Sequence, residues 1–116
     1  MMFLLMILAC GNSSDVCDSG VDVTYADFGE TFIRQHCQGC HASSSHNRHG
    51  APESVHFDTI EDIWSRRNDI LRVTTSEEAD MPPAWELDQD NVYLLEQWLR
   101  CGSERADRRS MRLFNP

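Results

Sequence analysis

Two cysteines with two residues between them, and a histidine directly after the second, occur once in this chain, as Cys37-Gln38-Gly39-Cys40-His41. Residues three and four apart share a helix face. On a helix the segment therefore offers two sulfurs and an imidazole to one side of the chain. At 116 residues the chain is one small domain, too short for a multidomain enzyme. Its 19 acidic and 10 basic side chains give a formal charge of -9, and the pI is near 4.8. That balance argues against a nucleic-acid partner, whose binding rests on clustered cations facing phosphates. Every basic residue is arginine, so a lysine-ringed docking face is not available.

The pattern along the chain predicts an all-α domain of about three helices joined by loops. Residues 10–23 are polar and rich in Gly, Ser and Asp, the composition of a tether. Thr24, three residues before Asp27, can cap a first helix over about 25–40, with Tyr25, Phe28, Phe32 and Ile33 at helical spacing. Residues 42–56 lack an apolar period and read as a loop. Asp58 or Thr59 can cap a second helix carrying Ile60, Ile63, Trp64, Arg67 and Leu71 on one face. Met81-Pro82-Pro83 keeps residues 74–86 extended, because each proline removes an amide donor and restricts its predecessor. A last helix runs from an Asp88 cap through Val92, Leu95, Trp98 and Leu99 to Gly102, a suitable residue just past a helix end. The domain thus spans 24–102, and 103–116, with four arginines and two acids, reads as a disordered tail able to touch anionic lipid or a partner.

The chemistry follows from the motif. Cys-x-x-Cys-His is the spacing of covalent haem c attachment. Thioether bonds from Cys37 and Cys40 hold the porphyrin edge, and His41 supplies an axial nitrogen. A thioredoxin-like pair should follow a strand, and a zinc site needs a second ligand pair; neither context is present. Met81, 40 residues after His41, is the candidate for the opposite axial position. Its thioether is soft and its proline neighbours stiffen the backbone. Met1, Met2 and Met6 lie in the N-terminal apolar run and Met111 in the tail. His36, His46, His49 and His56 are the alternative ligands: His36 would have to point the wrong way, and His46 and His49 sit in the polar loop. Some 80 ordered residues make a thin core, which haem would fill behind a wall of Phe28, Phe32, Ile63, Trp64, Leu71, Leu95, Trp98 and Leu99.

Residues 1–9, MMFLLMILA, are uncharged and too short to span a bilayer. With Ala9 before Cys10 they resemble a bacterial lipoprotein signal. That resemblance implies cleavage before Cys10, lipid on Cys10, and an exported, periplasmic, membrane-anchored protein. Five cysteines then divide by chemistry. With Cys10 lipidated and Cys37 and Cys40 on haem, Cys17 and Cys101 remain, and in an oxidising compartment they form a disulfide, two free thiols being the alternative. A bridge closing about 84 residues contributes roughly 4 to 5 kcal/mol in the chain-entropy account.

The haem motif, Ala51-Pro52 before Phe57-Asp58, and Met81-Pro82-Pro83 followed by Leu95, Trp98, Leu99, Cys101 and Gly102 together resemble the small single-haem c-type cytochromes, over about residues 24–102. The resemblance implies a cytochrome c-like fold around one covalent haem, with first and last helices packed together. It also implies a Pro52 carbonyl turned toward His41. With both axial positions filled, the expected function is one-electron transfer and not catalysis, with redox proteins as partners. The acids at 77, 78, 80, 86, 88 and 90 flank Met81 without a basic residue and suit a partner with a basic docking face. The alternatives are a haem-based gas sensor or peroxidase-like enzyme with an open sixth position, and a small subunit of a larger redox complex.

Overall fold

The computed structural model describes residues 17, 18, 20–77, 79–82 and 85–114. The apolar segment 1–9, Cys10, Glu78 and Pro83 lie outside them. The described residues are all-α, with no strand among them. Six α-helical segments are present: α1 (Glu30–His36), α2 (Gln38–His41), α3 (Ile60–Ser65), α4 (Arg67–Thr75), α5 (Gln89–Glu96) and α6 (Glu104–Phe114). A π-helical turn, Tyr25–Gly29, leads into α1, and another, Gln97–Cys101, continues α5.

The first predicted helix forms but is not continuous. Thr24 caps it through its side chain, which accepts from the Asp27 amide. At Cys37 the backbone leaves helical values (φ -124°, ψ -43°) and restarts as α2, the Cys37 carbonyl accepting from both the Cys40 and His41 amides. The second predicted helix is likewise two. Thr59, not Asp58, caps α3, in a reciprocal capping box with Asp62. Arg66 (φ -117°, ψ 15°) then separates it from α4. Asp58 instead receives the Ser43 amide at 3.0 Å, and hydrogen bonding from the Ser43 side chain, then from that amide, holds its carboxyl below the ordinary value.

The opening helical turn meets the Trp98 ring of the Gln97–Cys101 turn at Gly29. A Cβ there would lie 2.5 Å from the Trp98 ring, so only glycine admits this approach. Gly102 ends the helical run that began with α5 for a similar reason. Its φ is -74°, so no left-handed cap is involved; a Cβ would meet the Trp98 carbonyl at 2.5 Å. Tyr25, Phe32, Ile33, Ile63, Trp64, Ile70, Leu71, Leu95, Trp98 and Leu99 make one core, with Phe28 partly buried against it.

Two boundaries move. Within the predicted 103–116 tail, Glu104–Phe114 is the helix α6, which packs on the Tyr25–Gly29 turn and on α3. Asp107, 1% exposed, accepts from the Tyr25 amide (2.9 Å) and from the indoles of Trp64 (2.8 Å) and Trp98 (2.9 Å). A buried carboxylate is tolerated when its lone pairs are met by donors in this way. The predicted 10–23 tether is also too long. Cys17 is joined to Cys101 by a disulfide, Cα to Cα 5.4 Å, and Val23 is buried.

Replacing Asp107 by alanine leaves three buried donors without an acceptor, and urea unfolding with the disulfide intact is expected to show a loss of about 3 kcal/mol or more. Gly29→Val, which drives a side chain into the Trp98 ring, is expected to cost about 1 to 3 kcal/mol in the same measurement.

Candidate functional site

A cavity of about 420 Å³ opens between the end of α1, α2, the returning loop, α4 and Met81-Pro82. That size falls in the range of cofactor and small-molecule sites. Cys37, Cys40 and His41 line it, as do Pro52 and Met81, so candidate residues from three separate stretches of sequence meet around one cavity. Cys37 and Cys40 are free thiols. Burial pushes the Cys37 thiol up to about 12, because a thiolate there would be poorly solvated.

The loop after α2 is closed at its base. The Phe57 amide donates to the His41 carbonyl (2.7 Å), Gln38 donates through its side chain to the Phe57 carbonyl (3.0 Å), and the Phe57 ring lies 5.1 Å from the imidazole. His41 Nδ1 is 3.1 Å from the Val55 carbonyl oxygen. A carbonyl only accepts, so Nδ1 carries the proton and the neutral ring's lone pair sits on Nε2, the arrangement that orients a metal-binding imidazole. The Pro52 expectation is corrected here. Pro52 lines the cavity, but its carbonyl accepts the Val55 amide (3.0 Å) and Arg48 Nη1 (3.4 Å). That turn carries the chain three residues further before a carbonyl reaches His41.

Met81 is held from behind. The amides of Asp80 and Met81 both donate to the Val73 carbonyl near the end of α4, at 2.9 and 3.0 Å, and Pro82 is buried. Met81 itself is 37% exposed, so it forms part of the rim.

Two histidines assigned elsewhere by the sequence also line the cavity, His36 and His49. His36 is packed on Phe32 (4.8 Å between rings), and its Nδ1 accepts the Trp85 indole N–H at 3.0 Å. Indole is only a donor, so the neutral His36 carries its proton on Nε2 and has no lone pair left for a metal. His49 is exposed, in the left-handed region (φ 49°), with its amide donating to Asn47 Oδ1. Arg48, Arg66 and Arg72 also line the wall, none of them singled out by the sequence reading. The signal for one of them was present: Arg66, Asp69, Ile70 and Val73 recur at helical spacing, a second stripe beside the core stripe of the same helical region. No periodicity announces Val55 or Trp85. The other two histidines, His46 and His56, do not line this cavity; His46 is exposed, and His56 is paired with Asp62 at 3.1 Å.

Comparison with protein-family models, curated proteins and solved structures finds no match to this chain.

The His36 geometry carries a pH dependence. Burial lowers its pKa below 6.5, opposed by the nearby charge of Asp88. The unfolded ring then binds protons more tightly than the folded one, so stability declines as pH falls below about 6.5, until the folded-state pKa is passed. Protonation also takes the lone pair that Trp85 uses. In His36→Phe this component of the slope between pH 7 and pH 5 should be absent, as read by denaturant midpoints across the range.

Proposed function

We propose that this chain is an exported one-electron carrier built around one covalent haem c, with a cytochrome c-like fold. The observation that carries the reading is His41: its Nδ1 is tied to the Val55 carbonyl, its Nε2 is left for a metal, and both Cys37 and Cys40 line the same cavity. The donor set fits the group. Two free thiols suit thioether links, an imidazole and a thioether suit iron, and three arginines on the wall suit the two carboxylates of a porphyrin. When bound, haem supplies the ferric/ferrous couple.

The chain's own residues do the rest. Cys37 and Cys40 fix the edge of the group, and the Val55 carbonyl sets the tautomer and orientation of His41. The catch on the Val73 carbonyl holds Met81 at the rim, where its soft sulfur favours the reduced metal. Met81 would hold the metal better than His36, because Trp85 already occupies the acceptor nitrogen of His36. Phe32, Ile70 and Phe57 exclude water from the cavity wall. The close approach of the Trp98 ring to Gly29, which joins the opening turn to the extension of α5, supports the fold assignment. Asp80, Glu86, Asp88 and Asp90 are exposed beside Met81 and the exposed Trp85. That rim suits a redox partner with a basic face, at a rate that falls as salt rises. Lipid on Cys10 would hold the carrier at a periplasmic membrane surface.

Two measurements on exported protein test this. Intact mass should show one covalent haem, lost in a Cys37→Ser/Cys40→Ser double variant; a bare polypeptide from a strain competent in haem attachment overturns the proposal. The ferric spectrum should show the weak long-wavelength band of methionine ligation. Met81→Ala should abolish that band, lower the reduction potential and admit carbon monoxide. Ready carbon monoxide binding by the wild type would point to an open sixth position, and so to a gas sensor or peroxidase-like enzyme.

A further inference from the structure

The four arginines of α6, Arg105, Arg108, Arg109 and Arg112, stand at i, i+3, i+4 and i+7 and are all exposed, so they form a single stripe. Asp107, on another side of the helix, holds it to the core. Arg108 is paired with Glu104 (2.8 Å) and with Glu61. Arg105, Arg109 and Arg112 have no carboxylate within 4 Å among the described residues. Elsewhere the cations are mostly engaged. Arg34 pairs with Glu30 and Arg72 with Asp69, Arg48 and Arg66 donate to backbone carbonyls, and Arg67 lies over the Trp64 ring. Arg100, exposed at the end of α5's π-helical extension, is the exception; in a chain of charge -9, three of the four arginines without a partner among the described residues are therefore gathered on one helix that contributes nothing to the cavity.

The disulfide limits how far that helix can stand from Cys10. Cys17 is pinned 5.4 Å from Cys101, and α6 begins three residues after Cys101. Only six residues separate Cys10 from Cys17, so Cys17 lies at most about 25 Å from Cys10. The α6 helix is itself only about 17 Å long. We infer that the arginine stripe of α6 is a docking surface for an anionic lipid membrane, against which the short stapled tether holds it. The inference rests on the reading of Cys10 as the lipid-bearing residue. Lipid on Cys10 holds the chain at a surface without choosing which face of the domain meets it; basic side chains facing anionic headgroups add attraction and make that choice. Each arginine near such a surface strengthens attachment roughly fivefold.

The test is a competition between vesicles. Full-length exported protein is mixed with equal amounts of neutral phosphatidylcholine vesicles and vesicles containing phosphatidylglycerol, which are then separated by density. The wild type is expected to collect on the anionic vesicles by tenfold or more at low salt, and the preference should vanish at about 0.5 M salt. The triple variant Arg105→Gln/Arg109→Gln/Arg112→Gln, which keeps the Arg108 ion pairs, should distribute evenly. Even distribution of the wild type, or a preference that survives high salt, overturns the docking surface while leaving the anchor standing. A triple variant with unchanged circular dichroism that keeps the preference overturns it too. Recovery on neither kind of vesicle overturns the anchor and, with it, this inference.

Discussion

One carboxylate joins the ends of this molecule. Asp107 takes the Tyr25 amide on one oxygen and the indoles of Trp64 and Trp98 on the other, so the opening turn, α3, the closing π-helical turn and α6 share a single buried acceptor. Removing a charge from water is costly, and the three donors offset that cost only if all arrive together. The interaction therefore demands one relative arrangement of four segments that lie up to 82 residues apart. The Cys17–Cys101 bridge closes the same end covalently.

The cavity is what this frame leaves open on another side. Because α1 ends at His36 and α2 restarts from the Cys37 carbonyl, both thiols and His41 face a common space without being part of one unbroken helix. The return of the loop at Phe57 brings Val55 onto the imidazole, and the Val73 carbonyl stops the 80–82 segment at the rim. Each of these is a backbone carbonyl used as a positioning device. The side chains that carry the proposed chemistry are thus placed by groups that every residue possesses.

Charge is distributed by the same frame. The acids beside Met81 are exposed, while α6 presents arginines over a surface that the cavity does not use. Local composition makes both patches visible in the chain. Only the packing of α6, through Asp107, turns the second one from a charged tail into an ordered stripe.

Local chemistry was legible in the chain by itself. The Thr24, Thr59 and Asp88 caps, the apolar stripes of the helices and the loop over 42–56 follow from side chains that act on neighbours a few residues away. The spacing of Cys37, Cys40 and His41 belongs to the same class of signal. Features that depend on partners far along the chain were not legible: the break at Cys37, Val55 in place of Pro52, His36 turned to Trp85, and the helix over 104–114. Asp107 shows why. In sequence it is one acid among arginines, consistent with a solvated tail. It becomes an interior residue only when two indoles and an amide, none within eight residues of it, converge on its oxygens. Sequence periodicity reports which face of a segment is apolar, but a hydrogen bond between remote segments has no period, so tertiary packing alone decided it.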